Sequence, residues 1–216
     1  DGLAGGKGVF VTKTQIDALK ALKLLMKEKK LGNAGISVVV EEFMPGFEVS
    51  LIVLTDGRNI VKFPICQDYK NLQDSGLGPN TGGMGVHFPL PLLENNLLSK
   101  VEDEIIRPVL RGIENLGHVY KGFLYCGLMV SPGGEARVLE FNCRLGDPET
   151  QLLMLLMKGD FLPLLANVCK EERFSLSEVS SDFWHQTSGL CLVASAEGYP
   201  GDVRTGDVIE VDDQIE

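Results

Sequence analysis

Val138-Leu139-Glu140-Phe141-Asn142-Cys143-Arg144-Leu145-Gly146-Asp147-Pro148-Glu149-Thr150 is the stretch that decides how this chain is read. Alternation of polar and apolar residues predicts a strand over its first five positions. Glu140 and Asn142 then fall on one face, Leu139 and Phe141 on the other. A carboxylate and an amide oxygen side by side are hard ligands. They suit Mg²⁺, which keeps several waters and takes its remaining oxygens from substrate phosphates. Alone, the pair reads more simply as an amphipathic strand with a wet face. The loop that follows shifts the balance, because Arg144, Asp147 and Glu149 crowd immediately behind a metal-suited strand, as they do in reaction sites.

Working outward, residues 120–130 and 135–142 form a predicted hairpin around Gly133-Gly134. Residues 148–157 and 160–169 carry helical patterns, and residues 92–116 read as a long helix disturbed at Pro108. Residues 187–196 read as a strand. Toward the other end, residues 8–13 read as a strand after a glycine turn. Thr14 with Asp17 is a capping-box start for a helix over 15–30. The β-branched run 38–43 reads as a strand, Met44-Pro45-Gly46 as a turn, and 48–55 with 59–63 as a hairpin about Asp56-Gly57. This portion is expected to be a small sheet with a helix on one face. Residues 65–91 show little periodicity and many glycines and prolines, so they are expected to be a long loop, functional or disordered.

Three further constellations carry chemistry. Gly2-Leu3-Ala4-Gly5-Gly6-Lys7-Gly8-Val9 combines glycines, whose backbone N–H groups can approach phosphate oxygens, with a lysine. It is not a Walker A loop, since Gly8 and a strand follow the lysine. Alone it fits a plain tight hairpin as well. Glu41-Glu42-Phe43-Met44-Pro45-Gly46-Phe47-Glu48 is a strand ending in a turn. Its backbone can match an adenine edge, and an acid just beyond can take ribose hydroxyls. Alone it is better read as an edge strand with solvated acids. Gln67-Asp68-Tyr69-Lys70 with Gly78-Pro79-Asn80-Thr81-Gly82-Gly83-Met84-Gly85 offers N–H donors for an anion, with Asn80 and Thr81 as polar handles.

Composition bounds the classes. The chain has 216 residues, 44% of them hydrophobic, enough for one ordinary core in one or two domains. It opens on Asp1-Gly2-Leu3 without Met or a targeting segment, and this is read as a fragment boundary. The formal net charge of −10 argues against nucleic-acid or anionic-membrane surfaces, but not against ATP, whose phosphates are met by local lysines. Five cysteines without C-x-x-C spacing fit reduced thiols of a cytoplasmic protein. No apolar run approaches the roughly 20 residues of a membrane span. His87, His118 and His185 lie too far apart in sequence to suggest a zinc site.

Taken together and in this order, the segments resemble the ATP-grasp superfamily, and within it the glycinamide ribonucleotide synthetase (phosphoribosylamine–glycine ligase) family. The resemblance runs over nearly the whole chain. Its carriers are Asp1 through Val9, Gln67-Asp68-Tyr69-Lys70, Gly78 through Gly85, Gly122-Phe123-Leu124-Tyr125, Glu140 through Thr150, and Gly198-Tyr199-Pro200-Gly201-Asp202. The resemblance implies an α+β, ATP-grasp fold in which two α+β lobes clamp ATP. The lobes would span 1–64 and 65–186, with 187–216 beginning a small β-rich C-terminal domain. It implies that Gly5, Gly6, Lys7 and Gly8 meet ATP phosphates, that Glu41, Glu42, Phe43 and Met44 frame adenine, and that Glu48 holds the ribose. Glu140 and Asn142 would bind Mg²⁺, or Mn²⁺ in its place. Lys70 and Arg144 would face the transferring phosphoryl group, and Asp68, Asn80, Thr81, Gly82, Gly83 and Asp147 would hold glycine and 5-phosphoribosylamine.

The implied reaction joins glycine to 5-phosphoribosylamine through glycyl phosphate, at the expense of ATP, in purine biosynthesis. Phosphoryl transfer needs positive charge and in-line positioning more than a protein nucleophile, which agrees with the absence of any triad-like arrangement. The family pattern departs in places. It has His then Lys-Arg after Gln-Asp, where this chain has Tyr69, Lys70 and Asn71, and Phe47 stands where an acid is common. The family's N-terminal domain and most of its C-terminal domain are not matched, so the isolated chain is expected to have little ligase activity. Two other readings stand beside the ligase: another ATP-grasp carboxylate–amine ligase, and a non-catalytic ATP-binding fragment.

Overall fold

The computed structural model describes residues 8–91, 96–169 and 181–210. Thr14 caps the first helix, α1 (Gln15–Leu22). Its Oγ1 accepts from the Asp17 N–H at 3.2 Å while its hydroxyl donates to the Asp17 carboxylate at 2.7 Å. The helix runs on through a π-helical turn, Lys23–Lys27, as the helical spacing over 15–30 leads one to expect. The flanking expectations fail. Residues 8–13 and 38–43 form no strand, and Val39 and Val40 are 83% and 84% exposed. β-branched residues favour a strand only where a neighbouring strand takes up the ladder, and no described segment pairs with either stretch. Nor does α1 cover a sheet, for none of its residues is buried.

The chain becomes regular at β1 (Phe47–Thr55), which turns at Asp56-Gly57 into β2 (Ile60–Lys62). Residues 65–91 are not a loop. They form a hairpin of β3 (Gln67–Gln73) and β4 (Leu77–Phe88) around a turn at Asp74–Gly76. Aperiodicity misled here because the ladder slips. Tyr69 pairs with Gly85, but Asn71 pairs with Asn80, so Thr81 to Met84 bulge out of β4 and break the alternation. The expected long helix is α2 (Leu97–Val101), a π-helical turn Glu102–Ile106, and α3 (Arg107–Asn115). Pro108 has no N–H to donate, and the wider turn falls just where the ladder lacks that donor. β5 (Gly122–Val130) and β6 (Ala136–Asn142) make the expected hairpin. α4 (Glu149–Leu156), α5 (Phe161–Cys169) and β7 (Gly189–Leu192) complete the described elements.

Two antiparallel sheets result, in the orders β2-β1-β5-β6 and β3-β4-β7. β1 is buried on both faces, so its alternation sorts two cores. Val49, Leu51 and Val53 face α2 and α3 together with Leu124, Cys126 and Leu128. Ile52 and Leu54 face α4, α5 and the second sheet, where Leu152, Leu153, Leu156, Leu164 and Val86 pack. Glu48 and Ser50 share the parity of Ile52 and Leu54, which aims them at the seam between the sheets. Burial raises the Cys66 and Cys126 thiols to about 12, so both are inert apolar filling. None of the described helices is long and apolar enough to cross a membrane.

Candidate active site

The register of the first sheet builds one wall of the site. Ser50 lies opposite Gly127, and Gly127 opposite Glu140. One row along, Ile52 lies opposite Tyr125, and Tyr125 opposite Asn142. Opposed residues share a face, so Glu140 and Asn142 stand together on the face of Ser50 and Tyr125. This depends on a bulge. Gly127 pairs with Glu140 while Leu128 pairs with Val138, leaving Leu139 as the extra residue. Without it Glu140 would share the face of Val138, which packs against the helix-covered core. Gly127 also keeps the wall open, since a Cβ there would lie 3.1 Å from Glu140 Cγ and 3.4 Å from Tyr125 Cε1.

The opposite wall comes from β3, the β4 bulge and the loop before α4. Thr81 is buried; its Oγ1 donates to the Lys70 carbonyl at 2.8 Å and accepts from the Gly83 N–H at 3.1 Å. These bonds satisfy backbone groups that the slipped ladder leaves unpaired. Gly83 has φ +141°, and a Cβ there would meet Pro148 Cδ at 2.7 Å. Glycine is therefore what lets the bulge close onto Asp147-Pro148. The Gly82 N–H donates to the Tyr199 hydroxyl at 3.3 Å, bringing the 198–202 turn to the same place.

Between these walls lies a cavity of about 480 Å³, lined by Lys70, Gly82, Tyr125, Glu140, Arg144, Leu145, Gly146, Asp147 and Glu149. Lys70 Nζ bridges two carboxylates. It meets Glu48 Oε1 in a close ion pair, and Glu140 Oε1 at 3.3 Å. Burial works against the ammonium, but Glu48 first, then Glu140 and Asp68, outweigh it and raise its pKa, so Lys70 stays charged. Asp68 is buried with Oδ1 lacking a hydrogen-bond partner among the described residues. Burial, and next the charge of Glu149, push it up to about 8 against the pull of Lys70. Arg144 is exposed, its Nη1 donating to the Leu145 carbonyl at 2.7 Å, and Asp147 accepts from Gln151 Nε2 at 2.7 Å.

From the cavity wall a hydrogen-bonded chain runs inward; of its members the sequence singles out Glu149, while it gives Ser50 and Tyr125 no role there. Ser50 Oγ donates to Glu149 Oε1 at 2.6 Å and lies 2.9 Å from the Tyr125 hydroxyl. Ser50 has one proton and gives it to the carboxylate, so Tyr125 donates to Ser50. Burial and the charge of Glu149 raise the Tyr125 phenol, which keeps its proton. Ser50, Tyr125 and Glu149 are 1%, 3% and 2% exposed, so none is held by solvent. A signal did exist: Ser50 is a lone hydroxyl in an apolar run and has the same parity as Glu48.

Of the residues expected at a site, Lys70, Gly82, Glu140, Arg144 and Asp147 line this one cavity. Glu48, Asp68, Thr81 and Gly83 brace it, Asn142 stands one row further on the same face, and Asn80 accepts from Asn71 in the hairpin at 3.2 Å. The adenine-framing expectations are not brought to it. Glu41, Glu42 and Phe43 are exposed and Met44 is half-buried. Glu42 makes a two-pronged pair with Arg137 at 3.0 and 2.9 Å. Gly5, Gly6 and Lys7 lie outside the described residues, and Gly8 stands half-buried at their edge. No group of three or more His, Cys, Asp or Glu able to hold a metal occurs among the described residues. Glu140 and Asn142 nevertheless fit Mg²⁺ as a two-oxygen donor set on one face, the remainder of its shell coming from water and phosphate.

Comparison with known proteins gives the family. Residues 1–150 match the family model described as phosphoribosylglycinamide synthetase, ATP-grasp (A) domain. The chain is 46% identical over 210 residues to a phosphoribosylamine–glycine ligase of Yersinia pestis and 44% identical over 209 residues to that of Escherichia coli strain K12. Each alignment covers 97% of this chain and 48% of the relative, so the chain spans about half the length of the curated relatives it matches. A crystal structure of the phosphoribosylamine–glycine ligase from Thermotoga maritima superposes with a TM-score of 0.77 at 35% identity, covering 93% of this chain and 49% of that one.

Proposed function

The chain belongs to the phosphoribosylglycinamide synthetase ATP-grasp family, with the α+β, ATP-grasp fold, and from that premise we propose that its cavity is the reaction centre of a phosphoribosylamine–glycine ligase. The family implies ATP and a divalent metal. The finer reading is Mg²⁺ as the ion, glycine and 5-phosphoribosylamine as the co-substrates, and the cytoplasm as the compartment. The observation that carries it is the convergence of Lys70, Glu140, Arg144 and Asp147 on one cavity, from strands and loops far apart in sequence.

The chemistry follows from what these groups can do. The glycine carboxylate attacks the γ-phosphorus of ATP, the bond to the β–γ bridging oxygen breaks, and ADP leaves with glycyl phosphate formed. The amine of 5-phosphoribosylamine then attacks the acyl carbon, inorganic phosphate leaves, and the amine proton passes to solvent or to a cavity carboxylate. Lys70 and Arg144 supply positive charge to the phosphoryl oxygens, which spread their charge in the transition state. A metal bound at Glu140 and Asn142 would add to that charge. The Gly82-Gly83 bulge, closed against Asp147-Pro148 and Tyr199, forms a wall that would shield an acyl phosphate in the cavity from hydrolysis by water.

The test is ADP release by the chain at saturating ATP and Mg²⁺, with and without glycine. This reading predicts release that is weak in this part of the enzyme but glycine-dependent, and lost in Arg144→Ala with ATP affinity kept. Release that ignores glycine would contradict it, and ATP binding without release would favour the non-catalytic ATP-binding module. Another ATP-grasp carboxylate–amine ligase would show release with a different carboxylate.

A further inference from the structure

Lys70 sits where two roles conflict. Its ammonium lies on Glu140, the carboxylate read as a metal ligand, and on Glu48, the carboxylate read as a ribose partner. The two contacts are unequal: the ammonium sits close against Glu48, while the one to Glu140 is long at 3.3 Å and so the easier to give up. The backbone beneath is pinned by the Thr81 hydroxyl on the Lys70 carbonyl, at the break in the β3–β4 register. The ammonium thus stands between the two acids on a fixed base. Arg144, the other cation lining the cavity, is turned to the Leu145 carbonyl and serves neither acid.

We propose that Lys70 is the resident counter-cation of the metal position: its ammonium bridges Glu48 and Glu140, and a divalent cation arriving with nucleotide takes Glu140 by exchange with it. This rests on the reading of Glu140 as a metal ligand given above. Without Lys70, Glu48 and Glu140 would share the seam with no cation between them. A bare cation takes Glu140 from the ammonium and leaves it on Glu48 alone, beside a new positive charge. A cation carried by nucleotide brings phosphate oxygens that receive the displaced ammonium, so metal and nucleotide bind far better together than apart. The same motion delivers Lys70 from a storage pair to the phosphates, where the reaction uses it.

The experiment is Mn²⁺ binding by the intact chain, read by electron paramagnetic resonance, with and without ADP. The wild-type chain is expected to bind bare Mn²⁺ weakly and to bind it well with ADP. Lys70→Met removes the resident charge and is expected to tighten bare Mn²⁺ by at least about tenfold, since a unit charge a few ångströms away weighs that much even at high effective dielectric. The gain is expected to vanish in Lys70→Met/Glu140→Gln, while Lys70→Arg, which keeps a bridging cation, stays like wild type. No tightening in Lys70→Met, or equal tightening in Lys70→Arg, overturns the exchange. If the wild-type chain takes Mn²⁺ neither alone nor with ADP, the nucleotide-and-metal reading falls as well, which separates the two failures. The wild-type chain gives an independent check through the Lys70 ammonium ¹⁵N resonance. It is expected to shift when Mg²⁺ and ADP are added together and to stay put with Mg²⁺ alone; a shift with Mg²⁺ alone overturns the proposal.

Discussion

Replacing Ser50 by alanine removes a single oxygen, yet it disconnects two buried groups. Glu149 loses the donor at 2.6 Å that satisfies Oε1, and the Tyr125 hydroxyl loses its acceptor at 2.9 Å. All three residues lie within 3% of full burial, so water does not replace the lost partner without opening the core. A hydrogen bond to a charged group contributes about 1.5–3 kcal/mol and a neutral one about 0.5–1.5 kcal/mol. Ser50→Ala is therefore expected to cost about 2–4 kcal/mol. For a chain of this size that lowers the melting temperature by roughly 2–4 °C per kcal/mol. Urea unfolding gives the free energy, and a double-mutant cycle with Glu149→Gln gives the cause. The glutamine is neutral, so about half of the Ser50 penalty is expected to disappear in that background, a coupling of about 1–2 kcal/mol. A Ser50→Ala loss below about 0.5 kcal/mol, or strict additivity with Glu149→Gln, would refute the chain of reasoning from buried carboxylate to serine to tyrosine.

Other expectations follow from the same geometry. Asp68 titrates near 8 in the folded chain against an ordinary 3.8, so the folded state holds a proton that the unfolded state has released. Stability is then expected to fall as pH rises from about 4 to about 8, by up to about 1.4 kcal/mol per unit in the middle of that window. Asp68→Asn, neutral throughout, is expected to flatten the curve and to be more stable than wild type at pH 8.5; parallel curves would count against it. Gly83→Ala forces a Cβ to 2.7 Å from Pro148 Cδ at φ +141°, and is expected to cost more than about 2 kcal/mol and raise amide exchange across Thr81 to Met84. Unchanged exchange would show that the bulge does not lean on Asp147-Pro148. Arg137→Ala breaks an exposed ion pair with Glu42 and is expected to leave the melting temperature unmoved; a clear drop would mean that residues 41–44 are anchored through it.

How much of this was legible in the sequence depends on how local each feature is. The β5–β6 hairpin, α4 and α5 follow from short-range periodicity and turn glycines, and they fall where expected. The run at 38–43 has strand propensity equal to that of β1, but propensity names no partner. Only tertiary context shows that β1 finds β5 while 38–43 finds nothing among the described residues. The β3–β4 hairpin was hidden by its own slipped register, which erases the two-residue period on which strand reading relies. At the site, Glu140 and Asn142 were read on one face correctly, yet the bulge at Leu139 that aims Glu140 into the cavity leaves no local mark. The Ser50–Glu149 bond joins residues 99 apart, beyond any spacing argument, and it needed the fold to bring them together.

The account rests on one cavity in which Glu140 serves a cation that comes with the nucleotide. Calorimetric titration of ATP into the chain, with and without Mg²⁺, tests this most directly when repeated on Glu140→Gln. The prediction is that Mg²⁺ tightens ATP binding by about tenfold or more in the wild-type chain, as a cation shared between phosphate and a fixed carboxylate should, and that Glu140→Gln removes the difference. ATP affinity indifferent to Mg²⁺, or a magnesium effect that survives Glu140→Gln undiminished, would contradict it.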